Sequence, residues 1–404
     1  MTVISNDHPA PAQLPVAALL AFAMTGFIAI LTETLPAGLL PQIGHGLDIS
    51  NVLAGQLVTA YALGSLLAAI PLTVLTRNWR RRPVLLLAIV GFFVFNTITS
   101  VSSSYPLTLV ARFLAGVAAG LAWGILAGYA RRLVPVHLQG RALALAMVGT
   151  PLALSVGVPA GSWLGALAGW RVSFGIMSAL ALILIVWVLA TVPDLPGQPK
   201  AGSMPAHRVL LLPGMRPVLG VIFAWMLGHN ILYTYIAPFL AAAGAAVRVD
   251  VVLLLFGLAA LPGIWIIGLL VDRWLRLAVL ASLALFALVA IALGLDAAAP
   301  VVLYASVLLW GLSFGGAATL LQTASADAAG ANVDVAQAMV TTAWNLAIAG
   351  GGLFGGLLLG GAGAAIFPWV LLALLVTGWL VAWRATAHGF QPGRRAVAAP
   401  ASSV

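Results

Sequence analysis

The chain has 404 residues, of which 63% are apolar and only 7% charged, against roughly 25% charged in an ordinary soluble domain. That is too little polar surface to coat a water-soluble globule of this length, so lipid must face the exterior. There is no cysteine, which removes disulfide frameworks, Cys-ligated zinc and thiol catalysis.

A helix crosses the hydrocarbon core with about 20 mostly apolar residues. Twelve such stretches are predicted, over roughly residues 15–43, 52–76, 83–101, 106–130, 142–168, 172–192, 218–241, 250–271, 277–295, 301–324, 336–361 and 366–383. Met1 to Leu14 holds Asp7 and no Lys or Arg; without the basic region of a signal peptide, the first span is expected to be kept.

An even number of spans puts both termini on one side, and the basic residues say which. Fifteen of the eighteen Lys and Arg follow even-numbered spans: Arg77, Arg80, Arg81 and Arg82; Arg131, Arg132 and Arg141; Lys200, Arg208 and Arg216; Arg273 and Arg276; Arg384, Arg394 and Arg395. The opposite loops hold Arg171 and Arg248, and Arg112 lies inside a span. The positive-inside rule then expects both termini in the cytoplasm. Orientation thus accounts for the net charge of +9, and no nucleic-acid partner is expected.

The break from Val192 to Pro217 is rich in Pro, Gly and basic residues and reads as a linker. The expected organisation is a six-helix bundle over 1–192, a cytoplasmic linker over 193–217, and a second six-helix bundle with a short basic tail over 218–404. Matching features support a parallel repeat. Basic turns follow spans 2 and 8, glycines crowd spans 5 and 11, and polar residues interrupt spans 1 (Thr32, Glu33, Thr34) and 7 (His229, Asn230).

Glu33 and Arg112 are the full charges lying well inside spans, and such charges are costly enough to point to function. Glu33 precedes the outer end of span 1 by about 14 Å, and Arg112 follows the outer start of span 4 by about 9 Å, so their depths allow them to meet. One reading is a buried ion pair that only fixes packing. The other is a carboxyl that takes and releases a proton as a cavity changes face, toggled by a moving arginine or substrate. His229 lies about 16 Å into span 7, near the midplane. With Asn230, Tyr233 and Asn345 it offers donors and acceptors to a neutral polar ligand, the plain alternative being a histidine bonded across helices. Trp123, Trp310 and Trp344 lie away from span ends, where they either face a cavity or pack. Asn96 and Gln56 are weaker candidates.

Gly116, Gly120, Gly124 and Gly128 recur every four residues in span 4, and Gly157, Gly161 and Gly165 in span 5, a spacing that lets helix backbones approach. Pro159 adds a bend or weak point to span 5. Gly311-Leu-Ser313-Phe-Gly315 has the nucleophile-elbow spacing but sits inside an apolar helix rather than a strand-to-helix turn. No two histidines have metal-ligand spacing. Enzymatic chemistry and bound cofactors are therefore not expected.

Several motifs resemble those of the major facilitator superfamily, over essentially the whole chain. Gly268-Leu-Leu-Val-Asp272-Arg273-Trp-Leu-Arg276 is similar to its cytoplasmic gating motif; the copy after span 2 has Leu72 and Thr76 where Gly and Asp are usual. Leu109-Val-Ala-Arg112-Phe-Leu-Ala-Gly116 is similar to the span 4 motif whose arginine is tied to proton coupling. Ser155-Val-Gly157-Val-Pro159-Ala-Gly161 resembles the antiporter motif, with Val158 between a Gly and a Pro that are normally adjacent. Thr32-Glu33-Thr-Leu-Pro36-Ala-Gly38-Leu-Leu-Pro41, Tyr235-Ile-Ala-Pro238-Phe239 and Trp344-Asn345-Leu-Ala-Ile-Ala-Gly350 resemble the twelve-span drug:proton antiporter branch of sugar and nucleoside exporters.

The resemblance implies an all-α membrane protein of twelve helices in two pseudo-symmetric bundles. It implies a monomer in the cytoplasmic membrane that exports a sugar, nucleoside or drug-like molecule against inbound protons, powered by the proton gradient alone. Glu33, Arg112 and His229 are the expected proton-coupling residues. His229, Asn230, Tyr233, Asn345, Trp123 and Trp310 are expected to bind substrate. Arg77, Arg81, Asp272, Arg273, Gly157 and Pro159 are expected to gate. A nutrient importer of the same fold is the alternative, and a non-transporting membrane protein or enzyme a remote one.

Overall fold

A computed structural model describes residues 14–135, 138–197, 206–245 and 247–392. The unprocessed amino-terminal segment expected above, part of the linker, and Lys200, Arg394 and Arg395 lie outside the described residues. Those described form helices and turns with no strand.

Among the described residues, eleven helices are long and apolar enough to cross a bilayer. The first seven are α1 (Val16–Gly38), α2 (Asn51–Thr76), α3 (Arg81–Val101), α4 (Tyr105–Arg132), α5 (Gln139–Ala168), α6 (Trp170–Thr191) and α7 (Met215–Thr234). The next, Val249–Asp296, has 48 residues and would extend about 72 Å, more than twice the hydrocarbon core. It breaks at Trp274, whose φ of -133 and ψ of 36 are not helical. Residues 249–273 are α8 and 275–296 are α9, so this one element is two helices, each long enough to cross. The loop expected between those spans is a single-residue break. Pro300–Ala329, Val335–Gly361 and Ala364–Arg384 follow as α10, α11 and α12.

The C-terminal ends of α1 and α7 differ from the uninterrupted spans expected there. Each stops and is followed by a short helix, Leu40–Leu47 after α1 and Ile236–Ala242 after α7. Pro41 and Pro238 explain both breaks. A proline lacks an N–H and its ring clashes with the carbonyl four residues back, which falls on Ala37 and Thr234, at the last turns of α1 and α7. The two short helices then pack on each other.

Helix α5 contains a π-helical turn over Ala153–Gly157, in which the Val158 N–H bonds to the Ala153 carbonyl five residues back. A π-turn takes up one residue more than an α-turn. It coincides with the extra Val158 between Gly157 and Pro159, so the altered motif has a structural counterpart.

In the first bundle α2 packs on α4, α3 on α4 and α6, and α1 on α5 and α6. In the second, α7 packs on α11 and α12, and the broken Val249–Asp296 helix on α10 and α12. The bundles meet along α2 with α11 and α5 with α8. Glycine makes these contacts close: a Cβ on Gly64 would strike the Phe113 carbonyl, one on Gly116 the Tyr61 carbonyl, and one on Gly257 the Ser155 backbone.

Candidate functional site

Glu33 lies on α1 three residues before Pro36, and helices of the first bundle grip this stretch from three sides. Tyr61 of α2 donates to the Ala29 carbonyl at 2.8 Å, Asn96 of α3 donates to the Thr32 hydroxyl at 3.0 Å, and Arg112 of α4 donates to the Glu33 carbonyl at 3.5 Å. Thr25 and Thr34 return their hydroxyls to their own helix. The register of α1, and so the placement of the Glu33 side chain, is set by neighbours that bond its backbone and Thr32.

Arg112 and Glu33 do meet, though not as the buried ion pair considered from the sequence. The guanidinium reaches the backbone carbonyl of Glu33, and no ion pair joins it to the carboxylate. Its Nε and Nη1 have no hydrogen-bond partner, and its Cζ lies 4.9 Å from the Tyr61 ring centroid and 5.7 Å from that of Phe174. Aromatic faces stabilise such a cation electrostatically, and the carboxylate is left without a tight partner. Phe174 and Tyr61 were not singled out from the sequence. The signal available for Tyr61 was a phenol at mid-span, away from the interfacial belts where tyrosine usually sits.

Across from this cluster, His229 sits in an aromatic cage. Its ring stacks on Phe314 of α10 with centroids 3.6 Å apart and planes 11° from parallel. Tyr233, Phe256 of α8 and Trp310 of α10 lie at 5.3, 5.6 and 5.4 Å. The Trp310 indole N–H donates to His229 Nδ1 at 3.2 Å. The Tyr233 hydroxyl is buried without a partner. Helix α1, which carries Glu33, packs against α2 and α4 of its own bundle and also contacts α7, which carries Tyr233.

Accessibility separates groups that can touch a ligand from groups that support them. Glu33 and His229 each retain 6% of their surface and Asn345 7%, whereas Arg112 and Trp310 retain none. Trp310 therefore contacts His229 rather than open space in this conformation. Asn230 and Asn345 donate their amides to the Met226 and Thr341 carbonyls one turn back in their own helices, which leaves their carbonyl oxygens as acceptors. Trp123 is half-buried in α4 and packs over Gly26 of α1. Trp344 packs where α2 meets α11, against Val58, Ala62, Ile348 and Ala349.

The residues expected to gate fall at the basic ends of the helices or within α5. Arg81 donates to the Arg77 carbonyl at 2.9 Å. A carboxylate for this loop comes from Asp194, just past α6: it pairs with Arg80 at 2.5 Å and accepts from the Arg82 N–H. Asp194 was not anticipated, since it lies far from the loop in sequence. In the matching turn of the second bundle Asp272 and Arg273 are exposed, and Arg276 donates to the Ala382 and Trp383 carbonyls at the end of α12 and to the Phe390 carbonyl just beyond it. These ties each stay inside one bundle. At the other end Gln56 of α2 bonds across to Tyr235 and Gly352. Gly157 and Pro159 flank the end of the π-turn, where Ser155 touches Gly257 of α8.

Residues 22–352 match the family model described as Major Facilitator Superfamily. The chain is 33% identical over 287 residues to the purine ribonucleoside efflux pump NepI of Escherichia coli O6:K15:H31 (strain 536 / UPEC), covering 70% of this chain and 72% of that one. Over the same length and the same shares it is 32% identical to the protein of that name from Escherichia coli O1:K1 / APEC and 31% to that from Shigella sonnei (strain Ss046).

Proposed function

The chain belongs to the major facilitator superfamily and is a transporter rather than an enzyme, and from that premise we propose that it exports a purine ribonucleoside-like molecule in exchange for inbound protons. The two bundles rock about a midplane site between α1, α7, α10 and α11. It acts as a monomer in the cytoplasmic membrane, with the basic loops and both termini in the cytoplasm, and draws on the proton gradient without a cofactor. In this assignment the conformation described is closed toward the outside, where Gln56, Tyr235 and Gly352 join the bundles.

Glu33 carries the proton, Arg112 sets the electrostatic environment of its carboxyl, and the His229 side of the site binds the exported molecule. One observation carries this reading: a buried carboxyl with no ion-pair partner retains accessible surface on α1, a helix that packs against α7 of the other bundle. A carboxylate in that setting is costly unless protonated or newly paired, so its protonation is coupled to what occupies the space. The His229 ring and the free carbonyl oxygens of Asn230 and Asn345 suit a hydrogen-bonding heteroaromatic ligand, the kind of molecule named for the purine ribonucleoside efflux pumps the chain resembles.

The test is transport of radiolabelled inosine by purified protein in liposomes under an imposed pH gradient. Wild type is expected to move inosine against the gradient's proton flow, and Glu33→Gln to remain folded and lose that drive. Wild-type coupling in Glu33→Gln refutes the role of Glu33, and accumulation with the proton flow refutes antiport.

A further inference from the structure

The contact between Trp310 and His229 has a chemical consequence for what the site can bind. An indole N–H can only donate, so at 3.2 Å from His229 Nδ1 it requires an unprotonated nitrogen there. The imidazole proton must then sit on Nε2. Rotation cannot undo this easily, because Phe314 covers one face of the ring at 3.6 Å and Phe256 and Tyr233 flank it. Nε2 has no protein partner and is not among the sealed, unpartnered atoms, while His229 keeps some accessible surface. A ring N–H in such a place calls for an acceptor from outside the protein.

We propose that Trp310 is a positioning residue that holds His229 as its neutral Nε2–H tautomer, so that His229 donates a hydrogen bond to a ring nitrogen or ring carbonyl of a planar heteroaromatic ligand. This deepens the purine reading and rests on it for the identity of the ligand. A second proton, on Nδ1, would set two donors against each other and break the Trp310 bond, so His229 binds substrate and does not share in carrying protons. The elements around it agree. Phe256 from α8 and Trp310 and Phe314 from α10 bear no charge, Tyr233 comes from α7 itself, and the charged residue on the neighbouring helix α1 is Glu33, whose helix contacts α7.

The direct test is the 15N spectrum of histidine-labelled full-length protein in lipid nanodiscs near neutral pH, with the His229 signals assigned by their loss in His229→Gln. The Nε2–H tautomer is expected; the Nδ1–H tautomer or an imidazolium overturns the proposal. Trp310→Phe keeps the ring and removes the donor, and is expected to give a tautomer mixture and raise the KM for inosine about tenfold while kcat changes less than about twofold. Unchanged 15N signals in Trp310→Phe, or an unchanged KM, also overturn it. His229→Gln, which retains an N–H donor, is expected to bind inosine more tightly than His229→Leu; equal affinities count against the proposal. If the wild type moves no purine ribonucleoside, the substrate assignment fails on its own, and the wild-type tautomer still decides the role of Trp310.

Discussion

Gln56 and Tyr235 share one acceptor, the Gly352 carbonyl of α11. Gln56 donates to it at 3.1 Å and Tyr235 at 2.7 Å, and the Gln56 amide also donates to the Tyr235 hydroxyl at 3.3 Å. Gly55 lies under the Tyr235 ring and Gly355 and Gly356 beside it, positions where a Cβ would collide. Helices α2 and α11 from opposite bundles and the break after α7 are tied at one point.

Breaking that point should favour the state open on this side. A neutral hydrogen bond contributes about 1 kcal/mol, so Tyr235→Phe or Gln56→Ala is expected to shift the ratio of open to closed conformers about fivefold. The chain has no cysteine, so spin labels at Leu53→Cys and Leu357→Cys, both exposed, report the distance cleanly. An unaltered distance distribution in both variants would rule out the latch.

Arg112 is fully buried with two N–H groups unpartnered. Replacing a poorly satisfied buried charge with an apolar chain of similar size is often neutral or stabilising. Arg112→Met should therefore unfold no earlier than wild type in a detergent thermal melt, yet lose proton-driven transport. A melt several degrees lower would mean that the cation mainly serves stability.

The four spaced glycines of α4 should respond unequally. A Cβ on Gly116 meets the Tyr61 backbone carbonyl, whereas one on Gly128 meets nothing within 4 Å. Overpacking costs about 1–3 kcal/mol, while an unhindered Gly→Ala in a helix gains up to about 1 kcal/mol. Thermal unfolding should show Gly116→Ala destabilised and Gly128→Ala equal to or above wild type. The reverse order would contradict the α2–α4 contact.

Arg276 donates to the Ala382 and Trp383 carbonyls at the end of α12, where helix carbonyls otherwise lack partners, and to the Phe390 carbonyl beyond it. Arg276→Ala should cost about 2 kcal/mol, with Arg276→Lys intermediate because an ammonium cannot reproduce the guanidinium fork. If equal unfolding temperatures are found for all three proteins, the cap contributes nothing.

Much of this architecture was readable without coordinates. Hydropathy is a local property, so a run of about 20 apolar residues identifies a span wherever the chain later places it. The same reasoning, applied to rare buried charges, singled out Glu33 and Arg112 and, by depth along the helix, brought them together. It could not show that Arg112 would reach a carbonyl instead of a carboxylate, because that depends on the rotation of α4 against α1. The breaks after α1 and α7 were encoded by Pro41 and Pro238 but masked by unbroken hydropathy.

The sequence by itself determined the solvent, the series of apolar spans, the asymmetry of charge between the two loop sets and the few polar residues that the spans must hide, since each follows from composition along one helix. The tertiary structure alone decided the partnerships: Trp310 with His229, Gln56 with Tyr235, Asp194 with Arg80. Those pairs are separated by 81, 179 and 114 positions, and only the packing of helix against helix fixes which faces turn toward each other.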